Sequence, residues 1–220
     1  MTSLNTCYDQ ENQFEIGIDE AGRGPLFGRL YVGAVILPKT SHFRHELMKD
    51  SKKFHSKKKI REVADYIKQS ALFWSVQYVE PAVIDEINIR QSVFRGMHEC
   101  IRDILTKSGD AVSSDNTLLL VDGNDFKPFT QYDESSETFR SFRHETVEGG
   151  DNKYTCIAAA SILAKVERDA YIADLCSANP ELVERYGIDT NMGYGTKKHI
   201  QGIETHGITE WHRKSYARCS

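Results

Sequence analysis

The sequence predicts a mixed α/β protein in which helices cover a β-sheet, and three patterns carry this prediction. Residues 14–19 alternate apolar and polar side chains, and the apolar run 30–37 follows a glycine-rich segment, as in a β-hairpin. Residues 117–121 form a short, continuous apolar run, which is typical of a central strand buried on both faces. Residues 156–176 have the composition and spacing of a long helix. A hairpin followed by helix-linked strands favours a mixed sheet.

Further elements are predicted on either side of the central strand. Ser56 can cap a helix whose apolar residues recur at helical spacing, and residues 71–79 then predict a strand. Pro81 is well placed in the first turn of the long helix that follows. Residues 125–139 are expected to form an exposed polar loop, and the strand after it is expected to end at Asp151.

The length of 220 residues fits one domain with a complete hydrophobic core. We expect residues 1–13 to be a flexible polar tail and residues 180–220 to form a short, mostly helical C-terminal extension that contacts substrate. No apolar stretch approaches the roughly 20 residues that span a bilayer, and no secretory signal is recognisable. Five widely spaced cysteines without a C-x-x-C favour reduced thiols. These features predict a cytoplasmic protein with no membrane partner, and we expect a monomer.

Charge is distributed unevenly along the chain. The formal net charge is −4, which argues against binding nucleic acid through bulk positive charge. Residues 41–70 nevertheless carry nine Lys or Arg against four Asp or Glu, whereas residues 103–151 carry four against eleven. The lysine-rich segment 52–61 is either a solvated helix face or a surface for phosphate groups, and the sequence leaves both interpretations open.

Acidic residues occur at three predicted strand ends. Asp19 and Glu20 end the first strand, Asp122 ends the central one, and Asp151 ends the last. Ionised carboxylates at the ends of buried strands must keep water, bind a cation or become protonated. Brought together, they would suit Mg²⁺ or Mn²⁺, and two such ions about 3.5–4 Å apart can promote phosphodiester cleavage. For a single acid such as Asp122, a turn or capping role is the alternative.

Glycines after the first strand make a shared acidic site plausible. Adjacent side chains in a regular strand point to opposite faces, so Asp19 and Glu20 can share a site only where the strand bends or ends. Gly22 and Gly24 permit such a bend. The same glycines are close to a dinucleotide-binding fingerprint, but the spacing is one residue too long and Pro25 stands where the helix should begin.

Eight motifs, in order and over nearly the whole chain, resemble those of the ribonuclease HII family. They are GIDEAGRGPLFG at 17–28, DSKK at 50–53, IDEINIRQ at 84–91, VDGN at 121–124, GGD and AAASILAKVERD within 149–169, GYGT at 193–196 and HRKSY at 212–216. The resemblance implies an RNase H-like mixed β-sheet flanked by helices and a two-metal endonuclease that uses Mg²⁺ or Mn²⁺. It implies cleavage of the RNA strand of RNA/DNA hybrids. It also implies nicking of duplex DNA on the 5′ side of embedded ribonucleotides, which leaves 3′-hydroxyl and 5′-phosphate ends.

The resemblance also implies roles for individual residues. Those implied to be catalytic and to bind the metal ions are Asp19, Glu20, Asp122 and Asp151. The residues implied to hydrogen-bond the ribose 2′-hydroxyl through backbone groups are Gly22, Arg23 and Gly24. Tyr194 is implied to stack under the neighbouring sugar and sense the RNA–DNA junction. The residues implied to contact phosphates are Lys52, Lys53, Asn88, Gln91, His212, Arg213 and Lys214.

Two other classes of function remain open at the level of the sequence. Another nuclease or a transposase of the same fold would share the carboxylates but would not need the motifs at 22–24 and 193–196. A non-catalytic hybrid-binding module would keep the basic contacts while losing an acid, and none of the four acids is replaced. Arg29, where the family usually has proline, and the long segment 125–139 depart from the family pattern and bear on substrate grip and loop geometry.

Overall fold

The structure, a computed structural model, describes residues 3–40, 42–134 and 136–219. Its strands are β1 (Phe14–Ala21), β2 (Leu30–Ile36), β3 (Phe73–Val79), β4 (Thr117–Asp122), β5 (Thr130–Asp133), β6 (Thr138–Ser141) and β7 (Arg143–Val147). The main sheet has the order β3-β2-β1-β4-β7, and β5 pairs with β6 separately. β2 runs antiparallel to both neighbours, whereas β1, β4 and β7 run parallel. The predicted mixed sheet is confirmed.

Helices cover both faces of this sheet. They are α1 (Lys57–Ser70), α2 (Pro81–Ser108), α3 (Thr155–Ala178), α4 (Glu181–Tyr186), α5 (Ile188–Asn191) and α6 (Lys197–His206). Ile16 and Ile18 of β1 belong to the core under α2, whereas Val35 of β2 belongs to the core under α1 and α3. Because successive side chains of a strand point to opposite faces, each face of the sheet contributes to its own hydrophobic core. In the described parts of the chain, no helix is long and apolar enough to cross a membrane.

The beginning of α3 lies unusually close to the sheet because the strands carry glycine beneath it. A Cβ atom on Gly17 would lie 2.2 Å from the backbone carbon of Cys156, and one on Gly33 would lie 2.4 Å from the carbonyl oxygen of Ala160. Residues 155–164 of the helix are consequently buried on every side. This close approach also holds the segment before α3, which contains Asp151, against the end of the sheet.

The residues that the sequence predicts at the starts of two helices are found there in the structure. The Ser56 hydroxyl accepts a hydrogen bond from the N–H of Lys59 and caps α1, and Pro81 is the first residue of α2. The long helix α2 is interrupted at Asn88, where φ is 65°. The side chain of Asn88 accepts the N–H of Gln91 at 3.1 Å and so caps the second part of the helix.

Two expectations are wrong in detail. β7 ends at Val147, and Asp151 lies in a 3₁₀ turn over Gly150–Asn152 rather than at a strand end. Residues 125–139 are exposed for much of their length as predicted, but backbone pairing between β5 and β6 makes part of this segment a hairpin rather than a loop.

The described part of the expected tail is held in place. The N–H of Asn5 donates to the carbonyl of Lys153 at 2.8 Å, and the N–H of Thr155 donates back to Asn5 at 3.0 Å. The Glu15 carboxylate accepts the N–H of Tyr8 at 2.8 Å. These bonds satisfy the backbone of a polar segment that composition alone predicts to be frayed. Residues 1 and 2 lie outside the described residues.

Candidate active site

The carboxylates of β1 and β4 meet because these two strands are parallel neighbours. Ile18 pairs with Val121. The residues that come next, Asp19 and Asp122, therefore lie side by side at the same edge of the sheet. Asp19 is 5% exposed, and its Oδ1 accepts the N–H of Glu20 at 2.7 Å. The end of β1 therefore places two acids beside the acid that ends β4.

Asp151 reaches the same place through a turn. The backbone of Gly149 is left-handed, with φ 62°, and the N–H of Gly150 donates to Oδ1 of Asp122 at 2.7 Å. Asn152 then donates to Oδ1 of Asp151 at 3.0 Å. The hydrogen bond to Asp122 fastens the turn to the end of β4, which brings the fourth acid to the sheet edge.

A cavity of about 510 Å³ opens at this edge. The predicted site residues that line it are Asp19, Glu20, Gly22, Arg23, Gly24, Lys52, Asp122, Asp151 and Tyr194. The structure therefore brings together all four predicted acids, the glycine-rich loop and the predicted stacking residue. Tyr194 is 51% exposed, so its ring is available to a ligand rather than buried in the core.

Burial and like charge act together on the acids. Burial raises the pKa of Asp19 well above its ordinary value, and the charges of Glu20 and Asp122 raise it further. Burial also raises the pKa of Glu20, although Arg23 opposes this shift. The pKa of Asp151 is raised by burial and by neighbouring carboxylates. The ionised site is therefore unfavourable without a cation.

The donor set fits hard divalent cations. Carboxylate oxygens are the ligands that Mg²⁺ and Mn²⁺ prefer, and a cation would relieve the repulsion that raises these pKa values. Among the residues that the structure describes, no three acidic, His or Cys side chains converge into a preformed site for a single ion. The four acids instead line a shared cavity.

Glycine serves different purposes at the two ends of the 22–24 loop. Gly22 has φ 92°, and a Cβ atom there would lie 2.2 Å from Nε of Arg168. Packing therefore requires glycine at this position. Gly24 has an ordinary backbone, and its Cβ would meet only Cε1 of Tyr194, at 3.5 Å. Protein packing therefore does not explain glycine at position 24.

The predicted phosphate contacts of His212 and Arg213 are wrong. The two residues are 1% and 0% exposed. The guanidinium of Arg213 donates to backbone carbonyls under the loop, and Nε2 of His212 lies 3.1 Å from Nε2 of His199. Their polar atoms are already satisfied inside the protein, so they cannot also reach a phosphate at the surface.

The other residues predicted to contact phosphates lie at different places relative to the cavity. Lys53 is exposed near the cavity, and its Nζ donates to Asn152. Asn88 and Gln91 lie at the interruption of α2, outside the cavity lining. Lys214 is exposed, and its backbone N–H donates to Asp85 at 2.9 Å.

Sequence reasoning missed several polar residues of the cavity wall. They are Ser51, Asn152, Ser161, Lys165, Arg168 and Asp169. Lys165 and Asp169 form an ion pair at 2.9 Å across one turn of α3. This i, i+4 spacing is visible in the sequence, but it equally predicts an ordinary solvent-exposed helix pair. Only the packing of α3 shows that the pair faces the acids.

Comparison with solved structures assigns the class of protein. The ribonuclease H2 of Pyrococcus horikoshii OT3 has a TM-score of 0.68 and 21% identity, covering 94% of this chain and 95% of that one. RNase HII of Archaeoglobus fulgidus, solved in a complex with PCNA, has a TM-score of 0.63 and 27% identity, covering 91% and 93%. The protein is an RNase H-like α/β protein.

Comparison of sequences then assigns the family. The family model described as Ribonuclease HII matches residues 16–219. A ribonuclease HII from Cytophaga hutchinsonii is 38% identical over 209 residues, which cover 95% of this chain and 92% of that protein. This chain belongs to the ribonuclease HII family and is a ribonuclease H-type hydrolase. The resemblance seen in the motifs is confirmed.

Proposed function

We propose that this enzyme cleaves the RNA strand of RNA/DNA hybrids. We further propose that it nicks duplex DNA on the 5′ side of an embedded ribonucleotide and leaves 3′-hydroxyl and 5′-phosphate ends. One observation carries this proposal: a single cavity is lined by four acids, by the 22–24 loop and by Tyr194. Chemistry on a phosphodiester and recognition of its sugar would thus take place in the same cavity.

Mg²⁺ or Mn²⁺ is the cofactor that this acidic site supports. Asp19, Glu20, Asp122 and Asp151 would hold two ions. When bound, such ions activate water and stabilise the leaving oxygen. The protein contributes the fixed positions of the acids: the ends of β1 and β4 carry three of them, and the hydrogen bond from Gly150 to Asp122 anchors the turn that carries the fourth.

The 22–24 loop is suited to reading a ribose. A 2′-hydroxyl oxygen can accept a hydrogen bond from a backbone N–H, and it is the local feature that distinguishes RNA from DNA. A side chain at Gly24 would hold the sugar away from the backbone. The ring of Tyr194, next to Gly24, would stack under the adjacent sugar and align the scissile phosphate with the acids.

Exposed basic residues would position the duplex through its phosphates. Lys52 lines the cavity, and Lys53 is its neighbour in the same 3₁₀ turn. We retain Asn88, Gln91 and Lys214 as proposed contacts for a part of the duplex outside the cavity. The chain would act as one catalytic domain in which the C-terminal segment 180–220 supplies Tyr194.

A cleavage assay tests this function directly. A labelled duplex with one ribonucleotide is incubated with the enzyme and Mg²⁺, Mn²⁺ or EDTA, and the product ends are mapped on a denaturing gel. The expected product is a single nick on the 5′ side of the ribonucleotide, formed with either metal and absent in EDTA. Equal cutting of an all-DNA duplex would favour another nuclease of this fold. Binding without cutting under every metal condition would favour the non-catalytic module.

A further inference from the structure

A fully buried arginine lies beneath the 22–24 loop and binds its carbonyl groups. The Arg213 guanidinium donates to Gly22 O at 2.7 Å, Arg23 O at 3.1 Å, Pro25 O at 2.8 Å and Gly28 O at 3.0 Å. The hydroxyl of Tyr216 also donates to Arg23 O, at 2.6 Å. The loop is therefore held from below by a set of charge-assisted hydrogen bonds, which are stronger than neutral ones.

These bonds decide which way the peptide groups of the loop point. In a planar trans peptide, the C=O group and the following N–H group point in opposite directions. The carbonyls of Gly22 and Arg23 face Arg213, so the N–H groups of Arg23 and Gly24 face the other side, where the cavity lies. Neither N–H has a hydrogen-bond partner among the described residues.

A second buried arginine connects the segment that follows this loop to the segment that carries Tyr194. Arg168 is 3% exposed and donates to Phe27 O and Arg29 O, each at 3.3 Å, and to Met192 O at 3.0 Å. Burial and the charge of Arg213 lower its pKa to about 10, so it remains charged at neutral pH. Residues 27–29, which follow the loop, are thus fixed through backbone carbonyls to the segment that carries Tyr194.

We infer that Arg213 is a positioning residue that aims the N–H groups of Arg23 and Gly24 at the 2′-hydroxyl of a ribonucleotide. This inference rests on the proposed function and adds a physical cause for its sugar selectivity. The guanidinium suits the role because its donors form a planar fork that binds several carbonyls at once. A lysine keeps the charge but lacks this fork.

The test measures selectivity of binding rather than activity. The dissociation constants of a duplex with one ribonucleotide and of its all-DNA counterpart are compared by fluorescence anisotropy in Ca²⁺, under conditions without turnover. The variants are R213K and Y216F, the second being the milder change. I104A, which removes apolar contacts from the core under α2, is the control for lost stability. The melting temperature of each protein is recorded in parallel.

We expect the wild-type protein to bind the ribonucleotide duplex about tenfold more tightly, the value of one or two hydrogen bonds. R213K should reduce this ratio to about twofold, Y216F should reduce it partially, and I104A should leave it unchanged. An equal loss of affinity for both duplexes in R213K, with Tm lowered as in I104A, would overturn the inference. If R213K does not fold, an unchanged ratio in folded Y216F would overturn it.

Nicking and binding measurements on the wild-type protein distinguish failure of the inference from failure of the proposed function. A wild-type enzyme that nicks at the ribonucleotide but binds both duplexes equally would overturn the inference alone. An enzyme that fails to nick under any metal condition would overturn the proposed function, while the binding ratio would still decide the role of Arg213.

Discussion

At the scale of the residue, the two glycines of the 22–24 loop separate stability from function. Gly22→Ala should destabilise the fold by about 1–3 kcal/mol, because φ is 92° and the new Cβ would clash with Arg168. Gly24→Ala should leave Tm nearly unchanged and reduce cleavage at a single ribonucleotide. Thermal melts and kcat/KM for both variants check this. A large loss of Tm in Gly24→Ala would show that packing, rather than substrate approach, requires this glycine.

Asp122→Asn isolates the charge of one acid. We expect cleavage to fall by about 100-fold or more, because the change removes a metal-binding carboxylate. The fold should be retained, since the amide oxygen can still accept the N–H of Gly150. Turnover at saturating Mg²⁺ and Tm are the measurements. A well-folded variant with near wild-type turnover would remove Asp122 from the proposed ligands.

Tyr194 provides the test of junction sensing. Half of its side chain is exposed, so Tyr194→Ala should change Tm little. Activity on duplex DNA with one ribonucleotide should fall by about 100-fold, because a misplacement of about 1 Å can cost that much. Activity on a continuous RNA/DNA hybrid should fall less, because it offers successive cut sites. Tyr194→Phe should keep most activity on both substrates. Equal losses on both substrates, together with a lowered Tm, would contradict junction sensing.

At the scale of the element, the 3₁₀ turn Ser51–Lys53 and helix α1 place the lysines of this segment in two different environments. Lys52 lies at the cavity, whereas Lys57 and Lys58 lie on the exposed surface at the start of α1. The solvated-face interpretation thus fits α1, and the phosphate interpretation fits the turn. Sequence alone could not divide the segment, because all these lysines have similar local surroundings.

Replacing Lys52 and Lys53 together by Ala should weaken duplex binding. Each lost phosphate contact should reduce the slope of log affinity against log salt by about 1. The preference for a ribonucleotide should remain, because phosphate contacts do not read the sugar. The double variant Lys57→Ala and Lys58→Ala, with the same change of charge, is the matched control. Equal salt slopes for the two double variants would indicate that Lys52 and Lys53 are ordinary solvated surface residues and do not contact phosphates.

At the scale of the whole molecule, a buried histidine pair joins the C-terminal segment to the cavity. His199 Nδ1 donates to the carbonyl of Tyr194, and His212 Nδ1 accepts the N–H of Thr209. The remaining Nε2–H of His212 therefore donates to Nε2 of His199, and both rings are neutral. Burial and the neighbouring histidine lower the pKa of His212 to about 4.

This pair predicts a loss of stability in mild acid. A histidine with a lowered pKa contributes fully above the unfolded value of 6.5, and the contribution is lost as the pH falls towards about 4. The loss amounts to about 3 kcal/mol, or on the order of 10 °C in Tm. Melting curves between pH 7.5 and 4.5 should show it, and His212→Asn should flatten the profile. His55→Gln, at an exposed histidine, should not. Identical profiles for the wild type and His212→Asn would contradict the prediction.

Sequence alone is enough to predict the mixed sheet, the four acids, the 22–24 loop and the family. Periodicity sets which face of a strand or helix is apolar, and motifs identify the chemistry of their side chains. Only the tertiary structure placed Asp151 in a turn and buried Arg213 beneath Gly22, a residue 191 positions away. Whether a cationic side chain meets a phosphate or a carbonyl depends on which distant segment packs over it. Local sequence does not encode that contact, because it depends on how the C-terminal segment packs beneath the loop.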